Sequence, residues 1–246
     1  MKKLVLGLIL TYTLSFGATY EDGRAAQDIG DYETAFTIFN NLADQGDDKA
    51  QGNLGGMYYS GQGVKQDYKK AFEWYEKSAN QGNKFGQAML GRMYYNGEGV
   101  NKDMKKSFIY HEKSANQGFE ISQYSIAYMY YFGEGIKKDY KKAFFWSEQA
   151  AKQGNSDAQF MVASMYYSGQ GVKQNYKKAF ELSEDAVKQG QSWAQNMLGL
   201  YYERGITVEQ NKFKAFEWYL KSAKQGNESA QENLTKLCQE SPWVCK

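Results

Sequence analysis

Apolar and small residues recur along this chain at helical spacing, in a pattern that repeats every 36 positions. Ala50, Leu54 and Tyr58 lie four residues apart and therefore share one face of a helix. A glycine turn follows at Gly61, and a second apolar series begins near Phe72. The pattern predicts pairs of helices of about 12 residues, each too short to persist alone in water, so they are expected to pack on neighbours.

Five segments align without a gap when the sequence is shifted by 36: 50–85, 86–121, 122–157, 158–193 and 194–229. Three columns hold one residue type in every segment: Phe72, Phe108, Phe144, Phe180 and Phe216; Tyr58, Tyr94, Tyr130, Tyr166 and Tyr202; Gly61, Gly97, Gly133, Gly169 and Gly205. Such a period is typical of solenoids, whose units cannot bury an apolar face alone. We therefore expect an all-α fold, an α/α superhelical solenoid of tandem 36-residue helix-turn-helix repeats.

Two further columns indicate where the second helices begin and where the helices cross. Preferred N-cap residues precede each second helix: Asp67, Asp103, Asp139, Asn175 and Asn211. A small residue lies in the middle of each first helix: Gly55, Gly91, Ala127, Ala163 and Gly199. Because a glycine within a helix costs about 1 kcal/mol relative to alanine, this column predicts a close approach of another helix.

The segments on either side of the five copies are incomplete copies. Residues 18–49 form a shortened N-terminal copy, in which Phe36 lies 36 positions before Phe72. Residues 230–246 begin another first helix, expected to act as a cap and to be broken by Pro242. The two cysteines of the chain, Cys238 and Cys245, lie in this C-terminal segment, and we expect them to form a disulfide.

The first 17 residues have the composition of a signal peptide. Lys2 and Lys3 precede a short apolar run, and Ser15 and Gly17 are small residues at the spacing that a signal peptidase recognises. Cleavage is expected after Gly17, with Ala18 as the second choice, and the mature protein would then be secreted or periplasmic. An uncleaved N-terminal anchor is the alternative interpretation.

The charge balance argues against a polyanionic partner. The sequence contains 30 basic and 28 acidic residues, and residues 1–17 hold two of the lysines and no acid. The mature chain would have a net charge near zero, which disfavours nucleic acid as a partner. No later stretch approaches the about 20 apolar residues that a membrane span requires, so no span is expected in the mature chain.

The sequence lacks a recognisable catalytic or metal-binding set, and we expect no cofactor and no metal. Its one histidine, His111, lies in the column of Tyr75 and Tyr219, which favours a packed residue over a catalytic one. The Ser-x-x-Lys and Lys-Thr-Gly motifs of serine β-lactamases are absent, as are nucleotide-binding motifs. The sequence therefore favours a role other than catalysis.

A lysine recurs early in every second helix: Lys70, Lys106, Lys142, Lys178 and Lys214. One interpretation is a solvated outer edge. The other is an electrostatic strip for an acidic partner, which the nearby acids Asp67 and Glu73 weaken.

Two motifs make the repeat similar to known families. Leu54-Gly55-Gly56-Met57-Tyr58 has the L-G-x-x-Y spacing of a tetratricopeptide first helix. The period, the Gly61-x-Gly63-Val64 turn and the Ala71-Phe72-x-Trp74-Tyr75 segment resemble the Sel-one-like repeat (SLR) family more closely. This resemblance covers nearly all of the chain after residue 17. It implies an α/α superhelix that acts as an adaptor or scaffold in protein–protein interaction.

Within that family, the chain resembles the secreted bacterial cysteine-rich SLR proteins of the Hcp type, some of which bind penicillin and carry a β-lactamase label. The resemblance implies an alternative function, the binding or hydrolysis of β-lactams or peptidoglycan fragments. Those relatives usually have a cysteine pair in every repeat, whereas Ala79 and Gln87 or Ala88 stand at the matching positions here. Only the pair Cys238 and Cys245 is present, which weakens the enzymatic expectation and leaves the fold expectation intact.

Columns that differ between copies share a separate face of the first helices. The first helices of tetratricopeptide-like superhelices line the concave side, so we expect a tyrosine-rich concave groove that binds a protein or peptide partner. The third copy would be its most aromatic part. The alternative is that these aromatic residues pack against the next repeat. The predicted groove residues are Tyr59, Arg92, Tyr95, Tyr124, Tyr128, Tyr131, Phe132, Tyr167 and Arg204.

Overall fold

Thirteen α-helices and one short 3₁₀-helix make up residues 17–245, the part of the chain that this computed structural model describes. The predicted signal peptide lies outside the described residues except for Gly17. The helices are α1 (Tyr20–Asp28), α2 (Tyr32–Asp44), α3 (Asp48–Ser60), α4 (Tyr68–Asn80), α5 (Lys84–Asn96), α6 (Met104–Asn116), α7 (Glu120–Phe132), α8 (Tyr140–Lys152), α9 (Ser156–Ser168), α10 (Tyr176–Lys188), α11 (Ser192–Arg204), α12 (Lys212–Lys224) and α13 (Glu228–Glu240), followed by the 3₁₀-helix Pro242–Val244.

The chain divides into two compact units, which meet in sequence at Ser122 and Gln123. In the first unit, each helix packs on the next one from α1 to α6. In the second unit, the same succession of contacts runs from α8 to α13. The predicted fold class, an all-α solenoid of tandem helix-turn-helix repeats, is thereby confirmed.

The predicted N-cap column starts every second helix of the five copies. Asp67 Oδ1 accepts from the backbone N–H groups of Lys69 (3.0 Å) and Lys70 (3.1 Å), which satisfies donors that the first turn of α4 leaves free. The same helix ends in a Schellman motif: the N–H of Gly82, in the left-handed region, donates to Ala79 O (3.0 Å), and that of Asn83 donates to Ser78 O (3.2 Å). Sequence-local chemistry therefore sets both ends of the helix.

A glycine turn brings the first, second and fourth copies against the preceding second helix. Gly63 has φ +71°, and a Cβ at this position would collide with the carbonyl oxygen of Tyr32, at the start of α2. Glycine is needed here both for the backbone conformation and for the close approach. In the fifth copy, Thr207 takes the same position with φ +64°.

Aliphatic and small side chains fill the core of the first copy. In the first copy Leu54, Met57 and Ala71 are fully buried. Phe72 is half-buried and meets the ring of Tyr94 of the second copy edge-on, with the ring centres 5.5 Å apart. The invariant Phe and Tyr columns thus join the first copy to the second, and the same two columns join the third copy to the fourth.

The small column in the first helices does mark a close crossing. Where it holds glycine, an aromatic ring of the second helix covers it: Gly55 with Tyr75, Gly91 with His111, and Gly199 with Tyr219. Where it holds alanine, the second helix has serine in place of the ring: Ala127 with Ser147, and Ala163 with Ser183. The five copies therefore contain two alternative combinations of small and large residues.

The C-terminal segment contains one helix, a short 3₁₀-helix and the predicted disulfide. Helix α13 ends at Glu240, just before Pro242, and the disulfide between Cys238 and Cys245 is present. Leu237 and Val244 are buried beside it. The disulfide therefore fixes the short C-terminal turn against α13.

Candidate interaction surfaces

Tyr59 joins the first copy to the second through its hydroxyl group. That group donates to Glu98 Oε2 (2.8 Å) and accepts from Arg92 Nη2 (2.8 Å), while the guanidinium lies 4.9 Å from the ring centre. Partial burial, together with the hydrogen bond to Glu98, raises the pKa of Tyr59. Two of the predicted groove residues, Tyr59 and Arg92, are thus in direct contact, and the contact also holds two repeats together.

Tyr95 is the next member of the same row. It is half-buried on α5, and Lys102 Nζ lies 5.4 Å from its ring centre.

Helix α7 carries three aromatic residues of the predicted groove along one face. The ring centres of Tyr124 and Tyr128 are 6.4 Å apart, and those of Tyr128 and Phe132 are 4.4 Å apart. Phe132 is 50% exposed. Burial, with a smaller effect of Asp157, raises the pKa of Tyr124 to about 12, so its hydroxyl is a neutral donor at physiological pH. We call Tyr124, Tyr128 and Phe132 the α7 aromatic face.

The tyrosines beside this face, like Tyr59, bridge successive copies. Tyr131 donates to Gln170 Oε1 (2.6 Å), and Tyr167 accepts from Arg204 Nη1 (3.1 Å). Each ring also lies 5.1–5.2 Å from a tyrosine of its own copy, Tyr140 or Tyr176. Packing against the next repeat, the alternative interpretation of this row, therefore describes Tyr59, Tyr131 and Tyr167, whereas on the α7 aromatic face Phe132 is exposed.

The lysine column packs on tyrosines of its own copy. The Nζ atoms lie 4.4–5.2 Å from the ring centres of the invariant tyrosine column, a distance at which a cation is attracted to a ring face. The pairs are Lys70–Tyr58, Lys106–Tyr94, Lys142–Tyr130, Lys178–Tyr166 and Lys214–Tyr202. These lysines remain exposed, but ring contact gives the column a structural role that neither interpretation of the sequence included.

His111 is a packed residue inside the second copy. Only 5% of it is exposed, and burial lowers its pKa to about 4, so it is neutral at physiological pH. Its Nδ1 lies 3.3 Å from Ser122 Oγ, which donates to Ser114 Oγ (2.9 Å), which in turn donates to Lys84 O (2.8 Å). Because the Ser122 hydroxyl donates to Ser114, its oxygen accepts the hydrogen bond from the Nδ1–H group of His111. The hydrogen bond to Ser122 satisfies Nδ1 of His111, as expected for a histidine with a structural role.

Most copies contain a hydrogen bond between two glutamine side chains, which the sequence patterns above did not predict. In the second copy, Gln117 Nε2 donates to Oε1 of Gln87, a buried residue on the first helix, at 2.8 Å. The period could have revealed the pair, because both columns hold glutamine in all five copies. The bonded pairs are Gln81–Gln51, Gln117–Gln87, Gln153–Gln123 and Gln225–Gln195.

Among the residues that the structure describes, no group of three or more His, Cys, Asp and Glu side chains could hold a metal ion. No helix in the same range is long and apolar enough to cross a membrane.

The helix pairs, their glycine turns and their stacked aromatic columns define a helical-repeat protein of the tetratricopeptide-like class. The family model of the Sel1 repeat matches residues 48–83, 85–119, 121–155, 156–191 and 194–227. These matches cover more than half of the sequence, and the chain belongs to the Sel1 repeat family.

Solved structures agree with this assignment. A Sel1 repeat protein from Oxalobacter formigenes is 33% identical, with a TM-score of 0.79 over 89% of each chain. The protein c5321, a protective antigen of uropathogenic Escherichia coli with an SLR fold, is also 33% identical, with a TM-score of 0.77. That match covers 90% of this chain but 50% of the E. coli protein. Cysteine rich protein B of Helicobacter pylori is 25% identical, with a TM-score of 0.40 over 58% of this chain and 96% of that protein. No curated protein matches the sequence.

Proposed function

We propose that this chain is an exported scaffold that binds a protein or peptide partner through the aromatic surface of its first helices. The observation that carries the proposal is the α7 aromatic face, where Tyr124, Tyr128 and Phe132 form a continuous series of ring contacts. Scaffolding by protein interaction is the general role of Sel1 repeat proteins, and the family membership supports it.

Exposure and rigidity make the α7 aromatic face suitable for recognition. Phe132 leaves half of its surface in water, so a partner that covered it would remove roughly half of the about 150–250 Å² that complete burial of an aromatic side chain takes from solvent. Tyr124 and Tyr128 each combine an apolar ring with a hydroxyl group, and aromatic residues of this kind dominate binding energies at interfaces. Because the rings already lie in a helix, a partner would lose little affinity to ordering them.

Arginine residues on other first helices would supply specificity. In the second unit, the exposed Arg204 holds the Tyr167 hydroxyl with one nitrogen, and its guanidinium has further donors. In the first unit, Arg92 holds Tyr59 in a similar way. Arginine and tyrosine are both enriched in interfaces, where polar groups surround an apolar centre.

An extracytoplasmic location fits the covalent chemistry of the chain. The disulfide between Cys238 and Cys245 is typical of proteins in oxidising compartments, and the first 17 residues read as a signal peptide. The partner is therefore expected in the cell envelope or outside the cell.

A site-specific photo-crosslinker placed at residue 128 tests the proposal in the native envelope. The expected result is one enriched adduct, identified by mass spectrometry. The purified partner should bind the wild-type chain and bind the Tyr128→Ala, Phe132→Ala double variant at least about tenfold more weakly, a loss of about 1.4 kcal/mol.

Phe145→Ala is the matched control, because Phe145 on α8 is 53% exposed and lies outside the predicted groove. A crosslinker at position 145 should not enrich the same adduct, and Phe145→Ala should keep the wild-type affinity. Equal losses in both variants, or unchanged binding by the double variant, would reject the α7 aromatic face as the binding surface.

A further inference from the structure

A cleft in the second unit opens between α8 and α10 and has α9 as its floor. Its volume is about 240 Å³. Apolar groups from all three helices line it, among them Ala151, Val162, Leu182 and Ala186, and the ring of Tyr166 forms part of the wall. This volume is below the about 300–1,000 Å³ of pockets that hold drug-sized molecules, so it suits one large side chain.

The cleft exists because the fourth copy lacks an aromatic ring that the other copies have. Leu182 occupies a column in which the remaining members are Trp74, Tyr110, Trp146 and Trp218. In the second copy, the ring of Tyr110 stacks on Tyr94 with the ring centres 5.6 Å apart and the planes 8° from parallel. Tyr166, the counterpart of Tyr94, has no such ring beside it. Val162 enlarges the space, since its column otherwise holds leucine or isoleucine.

An unpaired hydrogen-bond acceptor lies at the same place. Oε1 of Gln159, which lines the cleft, is buried and has no hydrogen-bond partner. In the other four copies the corresponding oxygen accepts from a glutamine side chain at the end of the second helix. A buried acceptor without a partner is unfavourable. A ligand that placed an N–H group in the cleft would therefore bind more tightly if the Gln159 side-chain amide rotated to accept from it.

The charge pattern also differs in the fourth copy. In three other copies, a lysine three positions after the aromatic residue lies over its ring, as Lys77 does over Trp74 at 3.7 Å. Asp185 takes that position here and already forms an exposed ion pair with Lys188 Nζ at 2.7 Å, and Glu148 adds a second carboxylate to the cleft lining. Lys152 and Lys178 also lie there, but Lys178 Nζ already donates to the Tyr166 hydroxyl at 2.5 Å.

We propose that this cleft is a second binding site, which accepts a tryptophan side chain from a partner segment that carries a basic residue close to it. The indole replaces the missing ring against Tyr166, its N–H supplies a donor for Gln159, and the basic group lies near Glu148 and Asp185. The site lies between the second helices of the third and fourth copies, over the first helix of the fourth, and does not depend on binding at the α7 aromatic face.

Titration of the full mature chain with a capped heptapeptide tests this, with Trp at position three, Lys at position six and Ala elsewhere. Nuclear magnetic resonance should show saturable shifts of the Val162 and Leu182 methyl groups and the Gln159 side-chain amide, with a Kd of about 1 mM or tighter. Replacing Trp by Phe removes the N–H donor, and replacing Lys by Glu reverses the charge. Each change should weaken binding at least about threefold.

The double variant Leu182→Trp, Asp185→Lys gives the fourth copy the side chains of the first and fifth copies. It should abolish the peptide shifts while keeping or raising the unfolding temperature, because the new ring fills the cleft. Glu181→Lys is the control, since it makes the same charge change on α10 outside the cleft lining, and it should leave binding intact.

Three results would overturn the proposal. The first is the absence of shifts at these residues at peptide concentrations well above the expected Kd. The second is equal binding of the peptide to the double variant whose cleft is filled. The third is a concentration-dependent dimer of the wild-type chain that the double variant lacks, which would identify a second copy of the chain as the occupant.

Discussion

The ring of Tyr75 lies directly on the backbone of Gly55, where an added Cβ would stand 2.8 Å from the ring carbon Cδ1. The same relationship recurs between Gly91 and His111, where the distance to Cδ2 is 2.7 Å. Ordinary Cβ contacts are longer, so these glycines are required by packing and not by an unusual backbone angle. Substitutions at neighbouring glycines of one helix should therefore have opposite effects.

Gly55→Ala should destabilise the chain by about 1–3 kcal/mol, because overpacking forces the Tyr75 ring to move. Gly56→Ala, one residue further along α3, meets only the Tyr75 hydroxyl at 3.5 Å, an ordinary contact. That variant should raise stability by up to about 1 kcal/mol through helix propensity. Chemical unfolding of both variants checks the pair, and a stabilised Gly55→Ala protein would refute the packing argument.

Combining Gly55→Ala with Tyr75→Ser recreates the small-residue pair that Ala163 and Ser183 form in the fourth copy. Each single change harms packing, one by collision and the other by leaving a cavity. The double variant should therefore be less destabilised than the sum of the two, with a coupling of about 0.5–3 kcal/mol. Strict additivity in the double-mutant cycle would show that the two positions do not interact.

The buried His111 should make stability fall in mild acid. Its pKa is about 4 in the folded chain, against 6.5 for the unperturbed group, so between these values the unfolded state binds a proton that the folded state does not. Stability is therefore fully present above pH 6.5 and is lost as the pH falls towards 4. Lowering the pH from 7.5 to 5.0 should cost about 2 kcal/mol from this residue.

The His111→Gln variant isolates that contribution, because glutamine keeps a polar group near Ser122 Oγ but does not titrate. Urea unfolding at both pH values should show the wild type losing about 2 kcal/mol more than the variant. Parallel losses in the two proteins would mean that other groups cause the acid sensitivity.

The glutamine pairs should contribute unequally between copies. Gln117→Ala removes the donor to the buried Gln87 Oε1 and to Gly82 O, and leaving such acceptors unpaired should cost about 1–3 kcal/mol. Gln189→Ala is the matched control, because Gln159 accepts no hydrogen bond from it, and it should stay within about 0.5 kcal/mol of the wild type. Unfolding midpoints compare the two, and equal losses would contradict the pairing.

The disulfide should stabilise the C-terminal cap. It closes a loop across a sequence separation of seven, for which loss of chain entropy in the unfolded state predicts about 2–3 kcal/mol. The Cys238→Ala, Cys245→Ala double variant should show faster hydrogen exchange in α13 and unchanged exchange in α3 and α4. A reducing agent should reproduce this effect in the wild type and have none in the variant.

Much of the fold followed from the sequence because its signals are local. Asp67 caps α4 through neighbouring backbone groups, and Gly55 marks a crossing because the same column stays small in all copies. The partners of surface side chains did not follow, since no pattern in Tyr59 or Tyr131 shows that their hydroxyls reach Glu98 and Gln170, 39 residues away.

The cleft in the fourth copy was within reach of the same column comparison. Leu182 interrupts a column that is otherwise aromatic. Because leucine is also apolar, this change alone does not predict a cleft unless the residues around it are known. Only the placement of Leu182 and Val162 against one another shows that two separate size reductions open the same space.

The tight pairs Gly55–Tyr75 and Gly91–His111 each lie 20 residues apart, inside a single copy. Among the contacts that connect copies, the edge-on rings of Phe72 and Tyr94 use residues that do not vary along the array. An insertion or deletion of 36 residues in phase with the repeat therefore adds or removes one complete copy together with its packed interior. The flanking copies can then still meet through the same Phe and Tyr columns. The array is therefore built to change its length in whole modules while the interior and outer face of each module diverge independently.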